Sequence, residues 1–336
     1  MRATPIGRGP DLNAAPLEGL AGVERLPSPS RPAQANATNP LPRSLDQMAL
    51  AFITPAFSKH LPLLEMSAEA VDRYCPHRIT QYIIVSGREY HLFRHLDSSN
   101  RKVIIVEDIL TYPVMCLPVL IRGREIWLLD WRRPLRGWIM QQLIKMCAPE
   151  IADADVFLFL DTDIFFIRRF DVKCVAHNGR VRLWTEPGQA KLETHMRWHR
   201  TASKLLGLPA CDYHGANFIG NLITWRRDII LEMRSHVSSL SGDHWLRTIA
   251  REYHMSEYIL YGVFVQELLG GGDLRHLPTN HELCCDSWNI TDAQLLTERL
   301  RPSHIAVNIQ SNLHLPIPQV RALVDAAAIR AAETNC

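Results

Sequence analysis

Val156-Phe157-Leu158-Phe159-Leu160-Asp161-Thr162-Asp163 carries the strongest signal in this chain. Five apolar residues run directly into two acids with one residue between them. An apolar run without alternation predicts a strand buried on both faces, as in a parallel sheet covered by helices. Open sheets of that kind bind their ligands outside the carboxyl ends of the strands. Asp161 and Asp163 stand at such an end. Two carboxylates there form a hard, oxygen-rich, anionic site of the type that holds Mg²⁺ or Mn²⁺ against a diphosphate.

The bare Asp-x-Asp pattern says little by itself. With 18 Asp in 336 residues, chance supplies roughly one per chain, and Asp153-Ala154-Asp155 is a second instance. Requiring five apolar residues immediately upstream cuts the chance expectation to roughly a few per cent, and only Asp161 and Asp163 meet it. The plain alternative is that these acids merely close a strand in a turn or cap a helix. The apolar Ile164-Phe165-Phe166-Ile167 that follows is not turn-like.

The chain is long enough for one large α/β domain or two smaller ones, and at 47% hydrophobic residues it can bury a real core. A net charge of +2, with no segment massing Lys and Arg, gives no nucleic-acid footprint. Cysteines at 75, 116, 147, 174, 211, 284, 285 and 336 include no Cys-x-x-Cys pair, which disfavours structural zinc. Several sit in apolar stretches, as reduced thiols of a cytosolic protein do. No run of 18 apolar residues predicts a spanning helix, and the N-terminus has no signal-type apolar segment. The expected location is the cytoplasm, with peripheral attachment to the inner membrane left open.

Residues 1–46, rich in Pro, Ala, Ser, Asn and Arg, read as a disordered leader. Residues 47–316 read as one domain and 317–336 as a C-terminal helix and tail. Within the domain, strands are expected at Met48–Ile53, Gln81–Val85, Lys102–Val106, Val156–Leu160, Arg180–Thr185, Ala216–Trp225 and Ile305–Ile309. Helices are expected between them, notably Ser58–Tyr74, Gly137–Cys147, Met196–Leu206, Arg227–Val237, Asp243–Tyr253 and Glu257–Leu268 behind a Ser256 N-cap, with another over Pro318–Ala332. That alternation predicts βαβ units and a mixed, mainly parallel sheet flanked by helices.

Three further segments carry chemistry. On the helix before the acidic strand, Trp138, Gln141, Gln142 and Lys145 share one face. A lysine there suits a phosphate and glutamines suit hydroxyls, although an ordinary solvated face explains the spacing equally well. In His214-Gly215-Ala216-Asn217-Phe218-Ile219-Gly220-Asn221, small residues let backbone approach a ligand and the asparagines suit sugar hydroxyls. In Ser256-Glu257-Tyr258, Glu257 either serves the helix dipole or acts as a base toward an acceptor hydroxyl. His304, just before the last strand, is the candidate third metal ligand, with His314 as its rival. No P-loop, no dinucleotide fingerprint after the first strand and no hydrolase elbow is present.

With these segments in view, the chain resembles glycosyltransferases of the GT-A fold. The resemblance rests on Leu160-Asp161-Thr162-Asp163 closing an apolar strand, Gln141-Gln142-Leu143-Ile144-Lys145 before it, Asn217-Phe218-Ile219-Gly220-Asn221 after it, and the acid-bearing Ser256-Glu257-Tyr258. It looks most like a bacterial group of GT-A-like proteins that also share a Trp-Arg-Arg-Asp segment, here Trp225-Arg226-Arg227-Asp228. The match spans about residues 48–312.

The resemblance implies a GT-A-like (Rossmann-like) α/β fold and a metal-dependent transfer of a sugar from a nucleoside-diphosphate sugar to a glycan or lipid-linked acceptor. It implies Asp161 toward the ribose or a metal-bound water, Asp163 directly on the Mn²⁺ or Mg²⁺, and His304 completing the metal shell. Thr54, Thr162, Gln142, Asn217 and Gly220 are the expected nucleotide-sugar contacts, with Thr54 meeting the base or ribose. Lys145 and Glu257 are the expected catalytic pair. A nucleotidyltransferase and a non-catalytic sugar-nucleotide or glycan-binding protein are the rival readings.

Overall fold

The computed structural model describes residues 48–121, 124–188, 192–270, 274–287 and 289–334. The leader expected over residues 1–46 lies outside them. The described chain begins with β1 (Leu50–Pro55) and α1 (Leu61–Tyr74), then β2 (Thr80–Val85) and β3 (Arg101–Ile105). An antiparallel excursion follows, β4 (Val114–Ile121), β5 (Arg124–Leu129) and β6 (Arg133–Leu135), before α2 (Gly137–Met146), β7 (Val156–Phe159) and β8 (Ile164–Phe166). Next come β9 (Arg180–Trp184), α3 (Glu193–Leu206), β10 (Ile223–Arg226), α4 (Arg227–Ser241), α5 (Trp245–Ala250) and α6 (Glu257–Val263). The chain continues through β11 (His276–Thr279), β12 (Cys284–Asp286), α7 (Ala293–Arg299), β13 (Ala306–Asn308) and α8 (Ile317–Glu333).

The central sheet runs β10-β7-β1-β2-β3, parallel except for β10, which pairs antiparallel with β7. Helices cover it, so the fold is the expected mixed α/β with a mainly parallel sheet. β7 shows why its sequence is apolar without a break. Side chains of a strand alternate between faces: Phe157 and Phe159 enter one core with α2, α4 and α6, while Val156, Leu158 and the following Leu160 enter a second core with β8, β13 and α8. β1 divides in the same way, with Ala51 and Ile53 in the first core and Leu50 and Phe52 in the second. Each such apolar side chain, fully buried, contributes roughly 1.5–3 kcal/mol.

A second small sheet, β12-β13-β8, continues from the acidic turn, with Asp286, Asn308 and Ile164 in one row across it. β9 pairs parallel with β11, and β4-β5-β6 form a separate antiparallel sheet that the sequence reading left unassigned. The strand expected over Ala216–Trp225 is broken: only Ala216–Asn217 and β10 are extended, and Leu222 between them has φ +53°. The helix expected over Glu257–Leu268 is α-helical to Val263 and then opens into a π turn, Phe264–Leu268. The seven described cysteines are free. Among the described residues no helix is long and apolar enough to cross a membrane.

Candidate active site

β7 ends at Phe159, and Asp161 to Ile164 form a tight turn in which the Ile164 N–H donates to Asp161 O at 3.2 Å. The acids therefore occupy a turn that leads from the carboxyl end of β7 directly into a second buried strand, β8. Half of the Asp161 side chain is exposed. Asp163 is held more firmly: Asn308 Nδ2 donates to its Oδ1 at 3.0 Å and the Ser311 N–H to its Oδ2 at 2.9 Å. Burial, then the neighbouring Asp161 charge, pushes the Asp163 carboxyl above the usual range despite those two bonds. The other Asp-x-Asp has a structural role, since the Asp155 carboxylate accepts from the Ala49 N–H at 2.9 Å and fixes the start of β1.

α2 and α6 bring three buried polar groups against Asp161. Lys145 Nζ donates to Tyr258 Oη at 2.6 Å and stands 3.2 Å from Glu257 Oε1 and 3.6 Å from Asp161 Oδ1. Burial alone would lower the lysine pKa, but the charge of Asp161, then Tyr258 and Glu257, more than offsets it and holds the ammonium well above its ordinary value. Burial raises Glu257, and Lys145 pulls it back only in part. Ser256 caps α6 through the Ile259 N–H at 3.5 Å, and Gln142 Oε1 accepts the Glu257 N–H at 3.0 Å, so the first turn of this helix is tied to α2. Phe159, Trp225 and Tyr261 pack behind Tyr258, with Trp225 and Tyr261 stacked at 4.6 Å.

These groups open on a cavity of about 340 Å³ lined by Asp161, Thr162, Asp163, Lys145, Glu257 and Tyr258. Trp138, Gln141 and Trp198 form its aromatic and amide wall. Phe57, His60, Trp138 and Gln141 also border a larger hollow of about 850 Å³ toward β5. The cleft beside the acids is therefore long, in keeping with an extended ligand.

The fold brings Asp161, Thr162, Asp163, Lys145 and Glu257 together and places the other expected residues elsewhere. Thr54 is fully buried and its Oγ1 accepts from Gln81 Nε2 at 3.2 Å, so it ties β1 to β2 and faces neither cavity. Gln142 is buried between Trp138 O and the Glu257 N–H, and Gln141, one residue earlier, faces the cavity. Asn217 is buried, with its Oδ1 accepting the Ile219 N–H at 3.2 Å. Gly220 lets the chain pass against Trp184, where a Cβ would lie 2.9 Å from the indole nitrogen.

His304 is the largest departure. It is buried in a different cavity, where its Nδ1 accepts the Arg301 N–H at 3.1 Å, and it does not join the Asp161–Asp163 cleft. His60, which the sequence did not single out, borders the acidic cavity, and both Asp163 and His314 act on its charge. Burial, then Lys59, holds His60 below its ordinary pKa. Tyr258, Ser311 and Trp198 were also missed as site residues. Tyr258 follows Glu257 directly and was within reach of the sequence, whereas the Ser311 contribution is a backbone N–H with no sequence signature.

Among the described residues no three His, Cys, Asp or Glu side chains converge as a metal cage. A divalent ion still fits the donor set. Mg²⁺ binds through one or two carboxylates with substrate phosphates and water rather than through an all-protein cage. The Asp163 carboxylate offers about four lone-pair sites, not all of which the contacts from Asn308 and Ser311 fill. Three carboxylates against a single ammonium also leave the site anionic.

Residues 58–330 match the family described as "Family of unknown function (DUF6492)", and the chain belongs to that family. The match reaches into α8. No curated protein matches the chain. Among solved structures, the galactosyltransferase LgtC in complex with donor and acceptor sugar analogs is 14% identical over 82% of this chain and 95% of that one, with a TM-score of 0.42. An active-site mutant of LgtC is likewise 14% identical over the same shares, with a TM-score of 0.41.

Proposed function

We propose that this chain is a glycosyltransferase that moves a sugar from a nucleoside-diphosphate sugar to an acceptor hydroxyl, with Mn²⁺ or Mg²⁺ held by Asp161 and Asp163. One observation carries the reading: the acid pair at the carboxyl end of a central parallel strand shares its cleft with a buried ammonium and a buried glutamate. When bound, the metal supplies Lewis-acid stabilisation of the departing diphosphate. Asp163, pinned by Asn308 and the Ser311 N–H, and the half-exposed Asp161 provide its carboxylates.

Lys145 is fixed by Tyr258 and Glu257 and adds positive charge where the leaving group becomes more negative. A preorganised charge in a water-poor site is worth far more than one in solvent. Glu257 lies on the cavity wall with its pKa raised by burial, which suits a group that takes the proton of the attacking acceptor hydroxyl. Trp138 and Trp198, 5.4 Å apart between ring centroids, offer apolar wall to a sugar or a base. A location in the cytoplasm goes with this reading.

The test is the product. Full-length protein is incubated with diphosphate sugars, Mn²⁺ and a mixture of simple sugars. Release of a nucleoside diphosphate, lost in Asp163→Asn, is the expected result. Release of pyrophosphate would instead make the protein a nucleotidyltransferase, and binding without any product would make it a binding protein.

A further inference from the structure

A second cavity, about 240 Å³, shares Ile219 as a lining residue with the acidic cleft. Its position follows from strand register. Asp286, on its wall, is in the row Asp286, Asn308, Ile164 across β12-β13-β8. Two strand spacings, about 10 Å, therefore separate it from the turn that carries Asp163. Its walls are polar, and their hydrogen-bonding capacity is incompletely used.

Arg182 on β9 is only 4% exposed, and among the described residues no carboxylate charge offsets its burial. Its Nη1 donates to Leu222 O at 3.2 Å and its Nη2 to His281 O at 2.9 Å, while its Nε–H has no partner. Trp184, whose own Nε1–H donates to Ile219 O at 2.9 Å, holds its ring 5.2 Å from the guanidinium. His304 accepts the Arg301 N–H on Nδ1, so its proton resides on Nε2, which is buried, makes no hydrogen bond and stands 3.7 Å from Glu282. Glu282 is itself engaged by Arg301 at 3.0 Å. Arg299, in the last turn of α7, lines the cavity and forms no ion pair among the described residues. The other two acids on the wall face amides: Asp286 those of Asn221 and Gln310, each at 3.4 Å, and Glu186 that of Asn217 at 3.5 Å.

A buried guanidinium without a counter-ion is costly, and an unfilled N–H beside it adds to that cost. A ligand carboxylate or phosphate removes both penalties with charge-assisted bonds, the geometry for which Arg is suited. We propose that this cavity is an acceptor subsite and that the acceptor it takes is a sugar bearing an anionic group, a carboxylate or a phosphate, directed at Arg182 and Arg299. The assignment rests on the glycosyl-transfer reading for the word acceptor, but the binding it predicts does not depend on that reading. Its size admits one small polar unit, and its shared wall with the acidic cleft places that unit beside the donor.

The experiment is a titration of the full chain, without nucleotide or metal, with D-glucuronate, D-glucose 6-phosphate and neutral D-glucose, read by thermal shift and calorimetry. At least one anionic sugar is expected to bind more tightly than glucose, by about tenfold, and the two anions distinguish a carboxylate from a phosphate ligand. Arg299→Gln, at an exposed helix end, is expected to erase that preference, as is Arg182→Gln where it folds. Equal responses to all three sugars, no binding, or a preference that survives in folded Arg299→Gln would overturn the proposal. Because donor and metal are absent, failure here leaves the product test above unaffected, and failure of that test leaves this binding result standing.

Discussion

Replacing Lys145 with Met tests whether the buried charges of the cleft depend on one another. The substitution conserves much of the stem and removes an ammonium that donates to Tyr258 at 2.6 Å and lies 3.2 Å from Glu257. The lost hydrogen bond costs about 1 kcal/mol at any pH. The remaining cost depends on Glu257. Left charged and unpaired in a buried site, it costs about 3–5 kcal/mol, and it escapes that cost by taking a proton. Burial has already raised its pKa above the ordinary 4.5, with Lys145 opposing the rise, so the variant raises it further.

A carboxyl with a raised folded pKa binds more protons folded than unfolded. Stability is then lost as pH climbs from the unfolded value through the folded one, by up to about 1.4 kcal/mol per pH unit. Urea denaturation is expected to place the variant about 1–2 kcal/mol below wild type at pH 5 and about 4–6 kcal/mol below it at pH 8. Adding Glu257→Gln is expected to recover most of the loss at pH 8. A gap that is equal at both pH values, or that the second substitution fails to close, would refute the coupling between Lys145 and Glu257.

Two other substitutions test the packing that positions the site. Gly262→Ala improves helix propensity by about 1 kcal/mol, but the new Cβ would lie 2.1 Å from Cγ of the buried Phe218 ring, and overpacking costs about 1–3 kcal/mol. The clash is expected to win, with a lower urea midpoint. His199 is fully buried with neither ring nitrogen bonded, and burial, then His214 and His195, lowers its pKa to about 4. Its folded pKa lies below the unfolded 6.5, so it makes the fold lose stability as pH falls from 6.5 toward 4. His199→Leu is expected to flatten that part of the stability–pH curve, and an unchanged acid limb would show that another group controls it.

The parts of the fold that the sequence announced are those where burial leaves a simple pattern. β7 and β1 read as strands because both faces meet a core, and the acids after β7 stood out for the same reason. β4 did not, because Pro118 removes a ladder donor and normally argues against a strand; the structure accommodates it with a register shift between Cys116 and Leu120. Gln141 and Gln142 differ by one 100° step of the helix, and which of them faces the cleft is set by how α2 docks on α6. A sequence pattern does not contain that rotation. His304 was chosen for its chemistry and its place before the last strand, yet the turn that carries it directs the ring into the second cavity. The groups that do steady Asp163 are an asparagine amide and a backbone N–H, neither of which advertises a site.

The central claim is that Asp161 and Asp163 hold a divalent ion against a diphosphate. The most direct measurement is a thermal-shift panel of nucleoside diphosphates and diphosphate sugars, with and without Mn²⁺, on wild type and Asp163→Asn. Asn keeps an acceptor for the Ser311 N–H, its new NH2 is met by the Asn308 side-chain oxygen once that amide flips, and the change removes a carboxyl that burial and Asp161 already destabilise in its charged form, so the variant is expected to be folded and within about 1 kcal/mol of wild type at pH 7. The account predicts stabilisation of wild type by one base class of diphosphate, dependent on Mn²⁺ and absent from the variant. Equal shifts in both proteins, or none with any diphosphate, would contradict it and leave the two acids as the turn between β7 and β8.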